Sequence, residues 1–376
     1  MSHPTHATRA EIDIAAFRHN LDAVTSYTGP DVKVMAVVKA NAYGHGSVRM
    51  SEEAIRHGVE YLAVARFHEG VELREAGIRH PLALFELLQD EHLLPSIEYD
   101  MVLTVVSAEG AGKVNQAAQR AGRVARVHVK VDTGMGRLGV LHHEAADVVE
   151  RIARLGSIEL EGVYSHFATS EESDRAFAKL QLSRFQDLLL ELDRRKVEIP
   201  LRHMANSGAI ISMPDSHFDM VRPGIMIYGY PPGRGMPERY PVRPVMSIKS
   251  RVASIKTVGA KTSISYGRRY FTREKTVIAT IPIGYADGYT RILTNRSRAL
   301  IRGRAYPVVG TVTMDQVMVD VGPGGGVCEG DEVTLIGRDG DELITAWDIA
   351  DLAETIPYEV TCLIAPRVPR VYLPGG

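Results

Sequence analysis

The feature that most constrains this chain is an alternation. Over roughly the first 230 residues, eight short apolar, β-branched runs are separated by longer stretches with helical spacing. The runs are Val34–Val38, Tyr61–Ala65, Pro81–Phe85, Met101–Val105, Arg126–Val131, Leu160–Tyr164, Leu201–Met204 and Phe218–Val221. Between them, Ala15–Thr25, Ser51–His57, Glu69–Glu75, Ala108–Ala121, His143–Leu155 and Asp174–Arg195 carry apolar residues at helical intervals. Eight strands alternating with helices is the arithmetic of an α/β fold of the (β/α)8, TIM-type barrel class. A doubly wound open sheet is the alternative, but no glycine-rich dinucleotide fingerprint follows the first run, so the barrel is preferred.

Beyond the eighth run the composition changes. Tyr230–Pro237 is a Pro/Gly-rich joint, and Pro241 and Pro244 follow it closely. Alternating runs then appear at Ser247–Val258, Thr276–Ile281, Val317–Val321 and Glu332–Ile336, with one helix candidate at Ala346–Glu354. The expectation is a barrel over residues 1–235 and a mainly-β C-terminal domain over residues 236–376. A length of 376 residues with 45% hydrophobic content supports two packed domains and excludes collagenous or wholly disordered readings. With 44 Lys+Arg against 46 Asp+Glu, the net charge of −2 gives no field to attract nucleic acid or anionic lipid, and neither partner is expected. Cys328 and Cys362 form no disulfide framework and lack metal-ligand spacing, so no metal is expected. Met1–Arg9 carries no apolar core of a signal peptide, and no stretch approaches the ~18 apolar residues of a membrane span. A cytoplasmic location is expected.

A barrel places functional residues just past the C-terminal ends of its strands. Lys39 follows the first run, with Asn41, Tyr43 and His45 in the same glycine-flanked loop. Arg137 lies past the fifth run, His166 past the sixth, Asn206 and Ser207 past the seventh, and Arg222, Gly224 and Ile225 past the eighth. Each has a bland reading: a solvated loop lysine, a hydrogen-bonded core histidine, an arginine paired with a carboxylate such as Asp219, plain turns at Ser207 and Gly224. Loops after the last two strands of a barrel commonly offer backbone N–H groups to a phosphate. A lysine across the mouth from such a site suggests a phosphorylated aldehyde cofactor held as a Schiff base.

The motif Val38-Lys-Ala-Asn-Ala-Tyr-Gly-His-Gly46 resembles the pyridoxal-phosphate attachment motif of the bacterial alanine racemase family. The resemblance continues through Lys130–Gly139, Tyr164–His166, Asn206–Gly208 and Arg222–Ile225, then Ser265–Gly267, Gly284–Gly288 and Met314-Asp315. It implies pyridoxal 5'-phosphate as cofactor and interconversion of L- and D-alanine by two bases, supplying D-alanine for peptidoglycan. It further implies a homodimer in which the second domain of one subunit closes the other's active site. Lys39 would form the Schiff base and serve one face of the substrate, and Tyr266 of the partner subunit the other. A phenol acting as a base needs surroundings that favour phenolate, and His166 with Arg222 would supply them. Arg222 would face the pyridine nitrogen and leave it unprotonated, because a guanidinium keeps its proton. That argues for racemisation over decarboxylation, since related barrel decarboxylases use a carboxylate there.

By the same resemblance, Arg137 would contact the cofactor's phenolic oxygen and the substrate carboxylate, and Lys130 is a candidate carbamylated lysine that orients it. Tyr43, Ser207, Ile225 and Tyr358 would contact the phosphate, with Gly224 leaving room and Asn206 beside them in the cofactor site. Met314, Asp315 and Tyr285 would meet substrate, with Arg291 lining the access channel. Thr313 stands where several family members carry cysteine. A racemase of serine, or a non-catalytic cofactor-binding barrel, are the rivals; the latter lacks a β-domain.

Overall fold

The structure, a computed structural model, describes residues 7–234, 236, 241–324 and 326–374. Part of the Pro/Gly-rich joint, and with it the expected boundary at 235/236, lies outside the described residues. The chain divides into two compact units, which are taken in turn.

One unit, Phe17–Ala42 with Gly46–Arg243, contains the barrel. Its strands are β1 (Lys33–Val37), β2 (Tyr61–Val64), β3 (Leu82–Leu84), β4 (Val102–Val105), β5 (Ala125–Asp132), β6 (Ile158–Tyr164), β7 (Leu201–Asn206) and β8 (Met220–Arg222). All neighbours pair in parallel, and β8 returns to β1 to close the ring. Parallel neighbours require crossover connections, which is why helices such as Phe67–Glu75, Ala108–Ala121 and Ala176–Arg194 intervene. Ala108–Ala121 shows how sequence sets such a helix: Ser107 Oγ accepts from Gly110 N–H, and Gly122 stops it with φ 63°. The register slips at two places, between Val127 and His128 on β5 against β6, and between Met220 and Arg222 on β8 against β7.

The other unit comprises the described residues up to Ala16, Tyr43–His45, and the chain from Pro244 onward. This differs from the expected division. The strand Arg9–Asp13 pairs antiparallel with Met246–Arg251 and parallel with Arg370–Leu373, burying Ala10 and Ile12. Residues 43–45 join it because Arg370 Nε donates to Gly44 O (2.9 Å) and Tyr372 Oη to His45 O (3.2 Å). Gly44 has φ 86°, and a Cβ there would lie 2.1 Å from Thr361 O, so only glycine fits. The expected run Ser247–Val258 is two strands, Met246–Arg251 and Ser254–Val258, and hairpins such as Arg298–Ile301 with Arg304–Val309 extend the sheet.

Candidate active site

Lys39 sits two residues past β1, at the start of an unusual turn. Ala40, Asn41, Ala42 and Tyr43 have φ of 53°, 54°, 52° and 53°, a left-handed turn of non-glycine residues. Each such residue costs about 1–2 kcal/mol, so surrounding bonds must hold the turn. They do: Ala42 N–H donates to Val38 O (2.8 Å), Gly46 N–H to Asn41 O (2.9 Å) and Ser47 N–H to Asn41 Oδ1 (2.8 Å). Glu69 accepts from Ala40 N–H (2.6 Å) with one oxygen and from Ala65 and Arg66 N–H with the other. The strain is concentrated on the backbone that aims Lys39.

Arg222, the last residue of β8, is the hub of the mouth. Its Nη1 donates to His203 Nδ1 (2.9 Å), and Nη2 to Ser165 O (2.7 Å), Met204 O (3.1 Å) and His166 Nδ1 (3.2 Å). The guanidinium lies over the Tyr164 ring, 5.3 Å from its centroid. Burial lowers its pKa to about 10, so it stays charged at neutral pH. Its Nε–H donates to nothing among the described residues, and the bonds at Nη1 and Nη2 hold it in place as a donor for an acceptor outside the protein. His166 is pushed well below the ordinary histidine range by burial, then by Arg222, Arg137, Lys130 and Lys39. It is therefore neutral, and because Nδ1 accepts from Arg222 its proton sits on Nε2.

Lys130, on β5, is nearly buried and lies 5.6 Å from the Tyr164 ring centroid. Burial, then Arg137, Arg222 and Lys39, lower its pKa to about 8, with Asp132 opposing. The same charges act on His166 and Lys130, so Lys39, Lys130, Arg137, His166 and Arg222 are gathered at one mouth. Arg137 is exposed and makes no hydrogen bond or ion pair among the described residues.

At the ends of β7 and β8, Ser207 Oγ accepts from Gly224 N–H (2.9 Å) and Met226 N–H (3.3 Å). The N–H of the fully buried Ile225 meets no acceptor among the described residues. A buried, unanswered N–H beside a serine hydroxyl fits an anionic group such as a phosphate. Asn206 has a different task. Its Oδ1 caps the helix Ser207–Ser212 through Ala209 N–H (3.0 Å) and accepts from Ser170 Oγ (2.7 Å), so it fixes this loop by holding its helix.

The remaining candidates belong to the second unit. The Tyr43 and Tyr358 rings are 6.0 Å apart, and burial raises the Tyr43 phenol. Tyr266 is 74% exposed. It follows Ser265, whose φ of 62° is held by Ser265 Oγ donating to Thr311 O (2.6 Å), while Thr311 Oγ1 donates to Tyr266 O (2.7 Å). Tyr266, Thr313 and Gln316 line one hollow of about 360 Å³. Thr313 Oγ1 donates to Gln316 O (2.8 Å) and accepts from Gln316 N–H (3.1 Å), pinching the turn that presents Met314 and Asp315. Met314 is 53% exposed, and its N–H has no partner among the described residues. Tyr285 N–H donates to Thr313 O (3.0 Å), tying that tyrosine to the same turn. Asp315 pairs with Arg367 Nη2 (2.8 Å), whose Nε holds Asp287 (2.6 Å).

Sequence reasoning missed the polar interior of the barrel. Thr104, His128, Glu161 and His203 lie among its buried residues, where branched apolar side chains usually fill the layers. The signal was present on β5: Arg126, His128, Lys130 and Asp132 alternate with three valines in a strand buried on both faces. Among the described residues, no group of three or more His, Cys, Asp or Glu side chains could hold a metal ion, and no helix is long and apolar enough to cross a membrane.

Comparison with known proteins agrees with this geometry. Residues 12–232 match the family described as alanine racemase, N-terminal domain, and residues 245–372 the alanine racemase, C-terminal domain. The chain is 44% identical over 371 residues to an alanine racemase of Methanococcus maripaludis, covering 98% of this chain and 99% of that protein. An alanine racemase structure from Clostridium difficile superposes with a TM-score of 0.95 at 40% identity, covering 99% of this chain and 97% of that one. Another, from Bartonella henselae with covalently bound pyridoxal phosphate, has a TM-score of 0.88 at 27% identity, covering 98% of this chain and 99% of that one. The chain belongs to the alanine racemase family.

Proposed function

We propose that this chain interconverts L- and D-alanine with pyridoxal 5'-phosphate, supplying D-alanine for peptidoglycan in the cytoplasm. One observation carries the reading: four hydrogen bonds through Nη1 and Nη2 fix the Arg222 guanidinium and leave its Nε–H without an acceptor among the described residues, which fits an unprotonated ring nitrogen. Lys39 would hold the cofactor's aldehyde carbon, and Ser207 with Ile225 N–H its phosphate, joined by Tyr43 and Tyr358. When bound, the cofactor supplies an electron sink for the charge left when the α-proton departs.

The chain's own residues do the rest. Lys39 Nζ accepts or returns the α-proton on one face, and the partner subunit's Tyr266 phenol serves the other. Neutral His166 offers Nε2–H to the tyrosine oxygen, stabilising it as phenolate. Arg222 keeps its proton near pH 7, so it would offer Nε–H to the cofactor's ring nitrogen without protonating it, and the cofactor would there supply a weak electron sink suited to proton exchange. Arg137 is a free guanidinium fork for the substrate carboxylate and the phenolic oxygen of the cofactor. Lys130, with a pKa of about 8, is partly neutral at physiological pH and open to carbamylation by CO2, giving an anion beside Arg137. Met314 N–H would take the substrate carboxylate, with Asp315 and Tyr285 beside it.

The strongly exposed Tyr266 and Met314 support a homodimer, since a base and a carboxylate donor work only where water is excluded. Supplying pyridoxal phosphate, reducing with borohydride and mapping the modified peptide tests the reading. The label should fall on Lys39, and the protein should racemise L-alanine faster than L-serine. Label on another lysine, or no racemisation, refutes it.

A further inference from the structure

We propose that His203, His128 and Glu161 are positioning residues, forming one polarised hydrogen-bond chain through the barrel interior that orients the Arg222 guanidinium. The inference rests on the cofactor reading above, because it concerns the direction of Arg222 Nε–H.

The chain has a fixed sense. A guanidinium can only donate, so His203 Nδ1 accepts from Arg222 Nη1 at 2.9 Å. A neutral imidazole accepting at Nδ1 carries its proton on Nε2, and burial, with the charge of Arg222, keeps His203 neutral. His203 Nε2–H then donates to His128 Nδ1 at 3.0 Å, and His128 Nε2–H to Glu161 Oε2 at 2.9 Å. A doubly protonated His128 would set two N–H groups against each other, so it too is neutral. Burial raises the Glu161 carboxyl, but the hydrogen bond from His128, the charge of Arg126 and the hydrogen bond from Tyr61 act the other way, and it lies below the usual range. Tyr61 Oη (3.1 Å) and Arg126 Nη1 (3.3 Å) donate to its other oxygen. The series therefore begins on a buried cation and ends on a carboxylate, with both imidazole tautomers determined.

Two features of the backbone serve this series and have no other evident use. Val127 pairs with Leu160 but His128 pairs with Gly162, so Glu161 is the extra residue of a bulge. A bulge re-aims a side chain, and here it turns a carboxylate into the barrel toward His128. Gly162 then leaves room for the ring: a Cβ there would lie 3.0 Å from His128 Cδ2 and 2.8 Å from Leu201 O. The Tyr164 ring, stacked on His203 at 4.9 Å with an interplanar angle of 3°, fixes the second imidazole plane. The carboxylate end lies toward the opening opposite the mouth: Tyr61 begins β2, Arg126 is the second residue of β5, and Asp100, which binds Arg126, precedes β4.

The test reads tautomers as well as rate. With histidine side chains labelled with 15N, the folded protein at pH 7 should show His203 and His128 both neutral and protonated at Nε2. Either ring protonated at Nδ1 overturns the proposal. Glu161→Gln keeps an acceptor of the same shape but removes the charge. It should bind pyridoxal phosphate and lower kcat roughly tenfold with KM unchanged, as supporting residues behind a functional group commonly do. His203→Asn retains an acceptor for Arg222 but ends the series, and should lose as much as His203→Leu. If Glu161→Gln racemises at the wild-type rate, or His203→Asn restores it, the series does not act beyond His203 and the proposal fails. If Glu161→Gln does not fold, the wild-type tautomers and the His203 pair decide. Wild-type protein that binds no pyridoxal phosphate would overturn the functional reading, and this inference with it; a loaded wild type with unaffected variants overturns the inference alone.

Discussion

Arg222 and Tyr266 are assigned to one reaction, yet Arg222 is buried under four hydrogen bonds while Tyr266 lies 74% exposed. The same contrast runs through their neighbours. In the barrel unit, Lys130, His203 and Ser207 are enclosed, and the pKa shifts of Lys130 and His203 come first from burial. In the second unit, Met314 and Tyr285 lie on the surface, and what is fixed is the backbone beneath them, at Ser265, Thr311 and Thr313. The first arrangement prepares an electrostatic environment in advance. The second prepares only a shape and leaves desolvation to whatever covers it. A subunit built this way is expected to be incomplete alone.

The largest effects should come from removing the two proposed bases. Lys39→Ala and Tyr266→Phe should each cost on the order of 10³-fold in kcat, the middle of the range for positioned proton transfer. Neither inactive variant should recover alone, but mixing them under demonstrated subunit exchange should restore part of the activity, because some hybrids hold one intact site. Activity staying at background despite exchange breaks the shared-site half of the comparison.

Stability should separate the two halves next. Replacing Arg222 by Leu leaves Ser165 O, Met204 O and two imidazole nitrogens without their donor, at about 1–3 kcal/mol for each buried group left unsatisfied. Tyr266→Phe should leave the unfolding midpoint nearly unmoved, since the side chain is exposed. Thermal unfolding of both variants with cofactor loaded checks this. A Tyr266→Phe midpoint falling as far as that of the Arg222 variant would end the contrast.

How much of this could be read from sequence divides along the same line. The eight barrel strands were legible because each is a compact apolar run, and the strand-end residues because a barrel tells the reader where to look. Arg9–Asp13 was not, since it offers only two buried positions and its partners, Met246–Arg251 and Arg370–Leu373, lie at the far end of the sequence. The helix Asp90–Glu98 hid behind Pro95, which normally argues against a helix. The interior series was half legible: the alternation on β5 exposes His128 and Lys130, but Glu161 faces inward only because of a register slip, which no period-2 pattern foretells. Tyr266 could be placed only by resemblance, because no periodicity marks an exposed residue at the start of a three-residue turn.

The pH response should belong to the barrel. His166 and His203 are held neutral, with folded pKa values well below the ordinary 6.5. The unfolded chain binds protons there first, so stability should fall as pH drops below about 6.5 and be recovered above it. Lys130 acts in a higher window. Its folded pKa of about 8 lies below the ordinary 10.5, so stability rises with pH between those values and the cost of the buried cation is fully present below pH 8. With CO2 excluded, Lys130→Met should therefore be more stable than wild type at pH 7, by up to about 3 kcal/mol. With bicarbonate present the order should reverse, because the carbamate would pair with Arg137. An unchanged ranking in unfolding experiments across the two conditions refutes the carbamate.

The smallest effect sharpens what the exposed half contributes. Thr313 Oγ1 both donates to Gln316 O and accepts from Gln316 N–H, so it holds the turn that presents Met314 N–H without touching the bases. Thr313→Ala removes two partly exposed hydrogen bonds, each worth about 0.5–1.5 kcal/mol at most. The turn then loosens, and the N–H meets the substrate carboxylate less often in both ground and transition states. An interaction lost equally from both raises KM and leaves kcat alone. The expected outcome is an alanine KM higher by roughly two- to tenfold with kcat nearly unchanged, and recovery in Thr313→Ser, which keeps the hydroxyl. A fall in kcat instead would mean that Thr313 acts through Tyr266, which shares its hollow, and that the exposed half prepares the base as well as the shape.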